Sequence, residues 1–308
     1  MSVLHPKLEA LQRTLLTPSA LTQVNDPWLA QRRIELWLKR DDLIHPIISG
    51  NKWRKLKYIL QHALSVNADT LISMGGAYSN HLHALAFAGQ QLGINTIGLV
   101  RGEAPSVLNP TLQDVLSWGM TLNYVTRVNY RELRHYKHWQ ALPGLSAGQY
   151  WLPEGGAVEL ALQGVAELVT EMNQPDAILC VPCGTGTTLA GIIANSAPTM
   201  TILGFAALKG AGFLNLDVHA LLPLDKHLGK WSINLDYHCG GFGKVTQELL
   251  QFMQRFEYTT GIALDHVYTG KMLLGIYDLI TQGYFKAGQK IIAVHTGGLQ
   301  GARVIVKH

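Results

Sequence analysis

Short apolar runs alternate with longer amphipathic stretches along most of the chain, and this alternation constrains the fold more than any other feature. Several of the apolar runs are apolar nearly throughout, as expected for strands buried on both faces of a parallel sheet. These candidate strands are residues 70–74, 96–100, 177–181, 202–206 and 290–295. The candidate helices, with apolar residues at helical spacing, are residues 53–63, 80–91, 160–172, 187–194, 245–256 and 271–282. The pattern predicts an α/β protein with mainly parallel sheets, and at this length two sheets are expected.

Composition narrows the class of protein further. Hydrophobic residues make up 47% of the 308 residues and charged residues 15%, which excludes a disordered chain, a coiled coil and a collagen-like repeat. The net charge of +4 is spread out, so we expect no nucleic-acid partner. The chain shows no signal-peptide core and no run long enough to span a membrane, so we expect a cytoplasmic protein without a membrane partner.

Parallel α/β folds bind ligands beyond the carboxyl ends of their strands, so Gly-rich turns at those ends are candidate sites. The first such turn is Ser49-Gly50-Asn51-Lys52, at the start of a predicted helix. A lysine in the first turn opposes the helix dipole, and a partly buried lysine can act as an amine nucleophile that forms a Schiff base. A solvated surface lysine is the simpler interpretation of this segment taken alone.

Two further turns carry hydroxyl groups at predicted helix starts. In Gly75-Gly76-Ala77-Tyr78-Ser79-Asn80-His81, Ser79 can cap the helix or serve as a catalytic hydroxyl, and the cap is the safer interpretation. In Cys183-Gly184-Thr185-Gly186-Thr187-Thr188, small residues before a helix are what a phosphate-binding turn requires. The second turn matches neither the Walker A pattern nor the dinucleotide fingerprint, and a tight structural turn remains the alternative.

The cysteines and histidines give little reason to expect a metal or redox centre. Cys180 and Cys183 are two residues apart, but the chain has only three cysteines and therefore no second pair to complete a zinc site. His81 and His83 are too close in sequence to share one helix face. We expect no metal, and interpret Cys180 as a small buried hydrophobic residue.

The ordered set of motifs resembles the fold type II pyridoxal-phosphate enzymes, and more narrowly the D-cysteine desulfhydrase and 1-aminocyclopropane-1-carboxylate deaminase family. The resemblance covers most of the chain. The segments that carry it are Leu38-Lys39-Arg40-Asp41-Asp42 with Ser49 to Leu56, Gly76 to His81, Pro153-Glu154-Gly155-Gly156, Gly184 to Gly191, Tyr268-Thr269-Gly270-Lys271, and His295-Thr296-Gly297-Gly298. Tyr78 stands where the family usually has Gln, which leaves the substrate open.

The resemblance implies a role for each matching position. Lys52 would carry the cofactor, pyridoxal 5'-phosphate, on its amine and move the proton of the substrate Cα. Ser79 would lie beside the substrate carboxylate and the reacting carbon, with Tyr268 opposite. The other cofactor-binding positions would be Asn80 at the ring oxygen, Thr269 at the pyridine nitrogen, and Thr185, Gly186, Thr187 and Thr188 at the phosphate.

Thr269 separates the members of this family. The deaminases that open the cyclopropane ring place a Glu at this position, which keeps the pyridine nitrogen protonated and stabilises a long-lived carbanion. A neutral hydroxyl stabilises the carbanion much less. Elimination of a good leaving group such as thiolate needs only a brief carbanion. The resemblance therefore favours α,β-elimination on a small D-amino acid, with D-cysteine giving pyruvate, ammonia and hydrogen sulfide. The deaminase is the alternative, and a non-catalytic cofactor-binding protein is a more remote one.

The resemblance also predicts the architecture. It implies two three-layer α/β/α domains: a larger cofactor-binding domain made of residues 1–52 and 160–308, and a smaller inserted domain, 53–159. It further implies that the protein is a homodimer.

Overall fold

A computed structural model describes residues 3–223 and 228–301, which form two sheets flanked by helices. The strands in these residues are β1 (Leu21–Gln23), β2 (Glu35–Lys39), β3 (Thr70–Gly75), β4 (Asn95–Arg101), β5 (Thr121–Val125), β6 (Gln149–Leu152), β7 (Ile178–Cys183), β8 (Thr201–Ala206), β9 (Lys230–Asn234) and β10 (Lys290–Val294). The α-helices are α1 (Pro6–Gln12), α2 (Pro27–Gln31), α3 (Asn51–Ser65), α4 (Asn80–Leu92), α5 (Pro110–Ser117), α6 (Arg127–Leu133), α7 (Glu159–Met172), α8 (Thr187–Asn195), α9 (Leu214–His219), α10 (Gln247–Thr260) and α11 (Thr269–Thr281).

The larger sheet has six strands in the order β1-β2-β10-β7-β8-β9, and all pairs except β1–β2 are parallel. Its two faces carry separate cores. On β10, Ile292 packs in the core that contains α7 and α8, while Ile291 and Ala293 pack in the core that contains α10 and α11. Because successive side chains of a strand point to opposite faces, both faces must be apolar, which explains the uninterrupted apolar runs.

The smaller sheet has four parallel strands in the order β5-β4-β3-β6. Leu71 of β3 lies in the core with α3 and α4, and its neighbour Ile72 packs on the opposite face with Tyr130 of α6. The predicted α/β class with mainly parallel sheets is therefore confirmed. All strands of this sheet fall within 53–159, but helix α3 runs across the predicted boundary at residue 52, and the domain limits stay a prediction.

All five predicted strands are present, with bounds that differ by two residues at most. The strands that the sequence pattern missed include β5 and β9, which lie at sheet edges and are only partly buried. Helix α11 begins at Thr269 rather than at residue 271, because the carboxylate of Asp265 accepts the N–H groups at its start. Within 3–223 and 228–301, no helix is both long and apolar enough to cross a membrane.

Candidate active site

The start of helix α3 is wedged against the turn that follows the last strand. Gly50 has φ +63°, and a Cβ there would overlap the carbonyl oxygen of Thr296. Only glycine combines this backbone conformation with so close an approach. The sequence Gly50-Asn51-Lys52 therefore places Lys52 in the first turn of α3, directly beside the turn after β10.

Lys52 is partly buried and connects to the predicted phosphate turn through its neighbour. Its Nζ donates to Oδ1 of Asn51 at 2.7 Å, and Nδ2 of Asn51 donates to Oγ1 of Thr188 at 2.9 Å. Burial lowers the pKa of Lys52 to about 8, although the nearby charge of Asp265 opposes the shift. The lowered pKa raises the fraction of this amine that is neutral, and nucleophilic, near neutral pH.

The predicted phosphate turn joins β7 to α8. Gly186 has φ +74°, and a Cβ there would lie 2.6 Å from Cγ2 of Val218. Oγ1 of Thr185 and Oγ1 of Thr187 lie 2.9 Å apart, and Thr187 and Thr188 begin the buried helix α8. The first N–H groups of a helix lack partners within it, so this turn offers backbone donors and hydroxyls to a phosphate.

Helix α4 begins at the turn after β3, where Ser79 and Asn80 lie. Oγ of Ser79 accepts from the N–H of Leu82 at 3.2 Å, so Ser79 is the helix cap, and its contact with substrate stays a prediction. Oδ1 of Asn80 accepts from Gln300 at 2.8 Å, and its Nδ2 packs against Gly298. Tyr78, where the family pattern has Gln, is 52% exposed.

Tyr268 and Thr269 lie at the start of α11 and face the same region. The ring of Tyr268 packs closely against Gly184. A Cβ on that glycine would lie 3.1 Å from the phenol oxygen. Burial, with the charges of Asp265 and Glu154, raises the pKa of Tyr268, so the phenol stays protonated. Thr269 is fully buried, and its Oγ1 has no hydrogen-bond partner among residues 3–223 and 228–301.

Sequence reasoning missed two charged side chains at this site. Asp265 is 1% exposed and accepts three backbone N–H groups, from Val267, Tyr268 and Thr269. Its carboxyl carbon and Nδ2 of Asn80 both pack against Gly298, which brings the α4 and α11 starts together. No clear signal for it is present in the sequence, because Asp265 lies six residues before the predicted helix start at 271, too far for an ordinary side-chain cap.

The second missed residue is Lys55, one helical turn beyond Lys52. It is 4% exposed, and its Nζ donates to the carbonyl oxygen of Gly155 at 3.2 Å. Gly155 in turn packs against Thr185, so the Lys55 ammonium lies beside the phosphate turn. Burial and the charge of Lys52 hold the pKa of Lys55 well below its ordinary value.

Cys180 and Cys183 both lie on β7. Cys180 and Cys183 are buried thiols, and burial raises the pKa of Cys183 to about 12, which disfavours the thiolate that binds metals. Within the ranges that the structure covers, no cluster of three or more His, Cys, Asp or Glu side chains is placed to hold a metal ion.

Comparison with known proteins identifies the class. The family model for pyridoxal-phosphate-dependent enzymes matches residues 18–213, and the chain belongs to that family. A Pyrococcus horikoshii protein, provisionally named a 1-aminocyclopropane-1-carboxylate deaminase, is 33% identical over 87% of this chain and 85% of its own length. The mitochondrial bifunctional D-cysteine desulfhydrase/1-aminocyclopropane-1-carboxylate deaminase of Arabidopsis thaliana is 32% identical over 87% and 73%. A crystal structure of an ACC deaminase homologue superposes with a TM-score of 0.76 at 26% identity, covering 97% of this chain and 96% of the other.

These findings confirm the predicted family and its fold, and make the protein a pyridoxal-phosphate-dependent lyase or deaminase. The site fits the cofactor. A phosphate would bind at the Thr185–Thr188 turn near Lys55, and Lys52 would supply the amine that the aldehyde needs. The unpartnered Oγ1 of Thr269 is a buried polar atom that a ring nitrogen would satisfy. The individual roles of these residues stay predictions.

Proposed function

We propose that the protein catalyses α,β-elimination on a small D-amino acid, with D-cysteine and water giving pyruvate, ammonia and hydrogen sulfide. The observation that carries this proposal is Thr269: in the part of the chain that the structure describes, its buried, neutral hydroxyl has no hydrogen-bond partner, at the position that the resemblance assigns to the cofactor ring nitrogen. The carboxylate nearest in sequence, Asp265, already accepts hydrogen bonds on both oxygens. Three backbone N–H groups thus use most of the acceptor sites of this carboxylate.

The residues of the site suit a reaction in which negative charge on the substrate Cα is brief. When bound, pyridoxal phosphate withdraws electrons from the substrate Cα, and a neutral partner at the ring nitrogen limits how long negative charge persists there. A thiolate leaves readily, whereas a ring-opening carbon needs prolonged charge stabilisation and a delivered proton. Lys52, with its pKa near 8, suits the transfer of the Cα proton. Tyr268 holds a phenolic proton beside the phosphate turn and can donate it to the leaving group.

The test is a substrate screen of the cofactor-loaded protein. D-Cysteine, L-cysteine, β-chloro-D-alanine, D-serine and 1-aminocyclopropane-1-carboxylate are assayed for keto acid, ammonia and sulfide. We expect pyruvate and sulfide in equal amounts from D-cysteine, with kcat/KM at least about 100-fold above that for the cyclopropane substrate. Release of 2-oxobutanoate at a comparable rate would instead establish the alternative, the deaminase named for several relatives. A yellow protein that turns over none of these would favour the non-catalytic hypothesis.

Two substitutions of Thr269 test its assignment to the ring nitrogen of the cofactor. Thr269→Glu introduces a carboxylate where the hydroxyl stands, and we expect the visible spectrum of the bound cofactor to shift as the ring nitrogen becomes protonated. Thr269→Ser keeps the hydroxyl and should keep the spectrum. An unchanged spectrum in the Glu variant would contradict the assignment of Thr269 to the ring nitrogen.

We also propose that the protein is a homodimer, as the resemblance implies. Light scattering coupled to gel filtration should then give twice the chain mass of 33.9 kDa. A mass of 33.9 kDa at assay concentrations would contradict the proposal.

A further inference from the structure

Lys271 is a buried charge that the proposed chemistry does not use. It lies in the first turn of α11, two residues after Thr269, and is 1% exposed. A lysine there opposes the helix dipole, and its burial is costly unless it is well paired. Its Nζ donates to the carbonyl oxygens of His238 at 2.8 Å and of Gly241 at 2.7 Å. Both bonds go to one glycine-rich turn, residues 238–243.

This turn has an unusual backbone. Cys239 has φ +51°, in the left-handed region that glycine favours, and Gly240, Gly241 and Gly243 have φ of +89°, +126° and +67°. The two carbonyls that Lys271 binds flank Cys239 and Gly240, so the ammonium bridges the strained part of the turn.

The turn places Phe242 against Tyr268 at the candidate active site. The ring of Phe242 meets that of Tyr268 edge to face, with 6.0 Å between centroids, and 49% of Phe242 is exposed. Tyr268 packs against Gly184 of the phosphate turn. A continuous set of contacts thus runs from the Lys271 ammonium, through the backbone of the turn and Phe242, to Tyr268.

We propose that Lys271 is a positioning residue that fixes the turn 238–243, so that Phe242 forms a wall of the substrate pocket beside Tyr268. The proposal rests on the proposed function, because it assigns the wall to the pocket where the amino acid binds. It predicts that Lys271 governs substrate binding far more than the chemical step.

The kinetic test replaces Lys271 by Met, which keeps the length and removes the donors. For cofactor-loaded Lys271→Met acting on D-cysteine, we expect KM to rise at least about tenfold with kcat within threefold of the unchanged protein. The matched control is Lys244→Met, an exposed lysine next to the same turn, which should leave both constants unchanged. Phe242→Ala should reproduce the rise in KM, and the double variant should be no worse than either single one.

Two further measurements separate positioning from a general loss of structure. Cys239→Gly in the Lys271→Met background should restore most of the KM, because glycine adopts positive φ without strain. Chymotrypsin should cleave after Phe242 at least about tenfold faster in Lys271→Met than in the unchanged holoenzyme. This readout needs no turnover, so it tests the positioning of the turn even if D-cysteine proves not to be the substrate.

Several outcomes would overturn the proposal. They are an unchanged KM in a folded, cofactor-loaded Lys271→Met protein, losses that add in the double variant, or equal cleavage rates. Should Lys271→Met fail to fold, Phe242→Ala decides, because an unchanged KM in that variant removes the wall assigned to Phe242.

Discussion

Helix α3 carries buried and partly buried charged side chains that differ in how their charges are paired. Arg54 is fully buried and paired on two sides, with Asp41 at 3.1 Å and Glu171 at 2.6 Å. Lys39 bonds Glu171 as well, at 2.6 Å. Burial disfavours the Arg54 charge, but the two carboxylates outweigh it and raise the pKa of Arg54.

Lys52 and Lys55 stand beside Arg54 in the sequence, but among the described residues each donates a single side-chain hydrogen bond, to a neutral oxygen. Burial lowers the pKa of both amines. The paired cluster gains nothing from a ligand, whereas the two lysines would be stabilised by an anionic group bound between them and the phosphate turn. The difference in pairing thus distinguishes the side chain of α3 that belongs to a buried ion-pair cluster from the two lysines that we propose bind the cofactor.

The largest expected effect comes from Lys52→Ala. We expect turnover to fall by at least about 10³-fold, since a positioned acid–base group contributes 10²- to 10⁴-fold and the covalent anchor is lost as well. Thermal unfolding should change little, because Lys52 is only partly buried and makes one hydrogen bond.

Borohydride treatment of the unchanged holoprotein provides the direct check. It should bleach the yellow colour and add the reduced cofactor mass to the peptide that contains Lys52, and to no peptide of Lys52→Ala. Lys230→Ala, at an exposed lysine, serves as the control and should keep full turnover. Unchanged turnover in Lys52→Ala would remove the mechanism.

The next effect concerns stability. Arg54→Met leaves the Asp41 carboxylate buried without its partner, and breaking such a pair destabilises by about 3–5 kcal/mol. We expect a lower urea midpoint but kcat within threefold for the folded fraction. Lys57→Met, whose partner Glu167 is partly exposed, is the matched control and should lose less than about 1 kcal/mol.

The dependence on pH sharpens this second prediction. Burial raises the pKa of Glu171, but hydrogen bonds from Arg54 and Lys39 outweigh it and hold the pKa below its ordinary value of 4.5. The stabilisation is therefore present above pH 4.5 and is lost as the pH falls through the lowered pKa. The gap between the unchanged protein and Arg54→Met should shrink on acidification, and a constant gap would contradict the ion-pair explanation.

Sequence patterns predicted those parts of the molecule that depend on neighbouring residues. The uninterrupted apolar runs located β3, β4, β7, β8 and β10, and the glycine-rich turns located the candidate site, because both features are local. The hydrogen bond from Asn51 to Thr188 could not be predicted, since the two residues are 137 positions apart and belong to different motifs. Arg54 stood in the sequence two residues after Lys52 with nothing to show that its partner was Glu171.

The same limit explains the residues that were missed at the site. In the sequence, Lys55 resembles any charged residue of an amphipathic helix. Only the fold shows that it donates a hydrogen bond to the carbonyl oxygen of Gly155. In the sequence Lys271 is only the last residue of a motif, and the role that we propose for it depends on two carbonyls about 30 residues earlier in the chain. A buried charge cannot be recognised before its burial is known, so these side chains needed the structure.

The smallest expected effect concerns Lys55 and tests whether its amine binds the phosphate of the cofactor. Because burial and Lys52 lower its pKa in the folded protein, the cofactor-free protein should gain stability as pH rises from that lowered pKa toward 10.5. Lys55→Met removes the buried amine, so its cofactor-free form should unfold at a higher temperature at pH 7 and show a flatter rise toward pH 10. Its affinity for pyridoxal phosphate should fall by about tenfold or more, as expected for one lost hydrogen bond to a charged group, worth about 1.5–3 kcal/mol. Thermal scans at the two pH values and a cofactor titration measure both effects. Lower stability together with unchanged affinity would place Lys55 with Arg54, as a structural charge rather than a ligand of the phosphate.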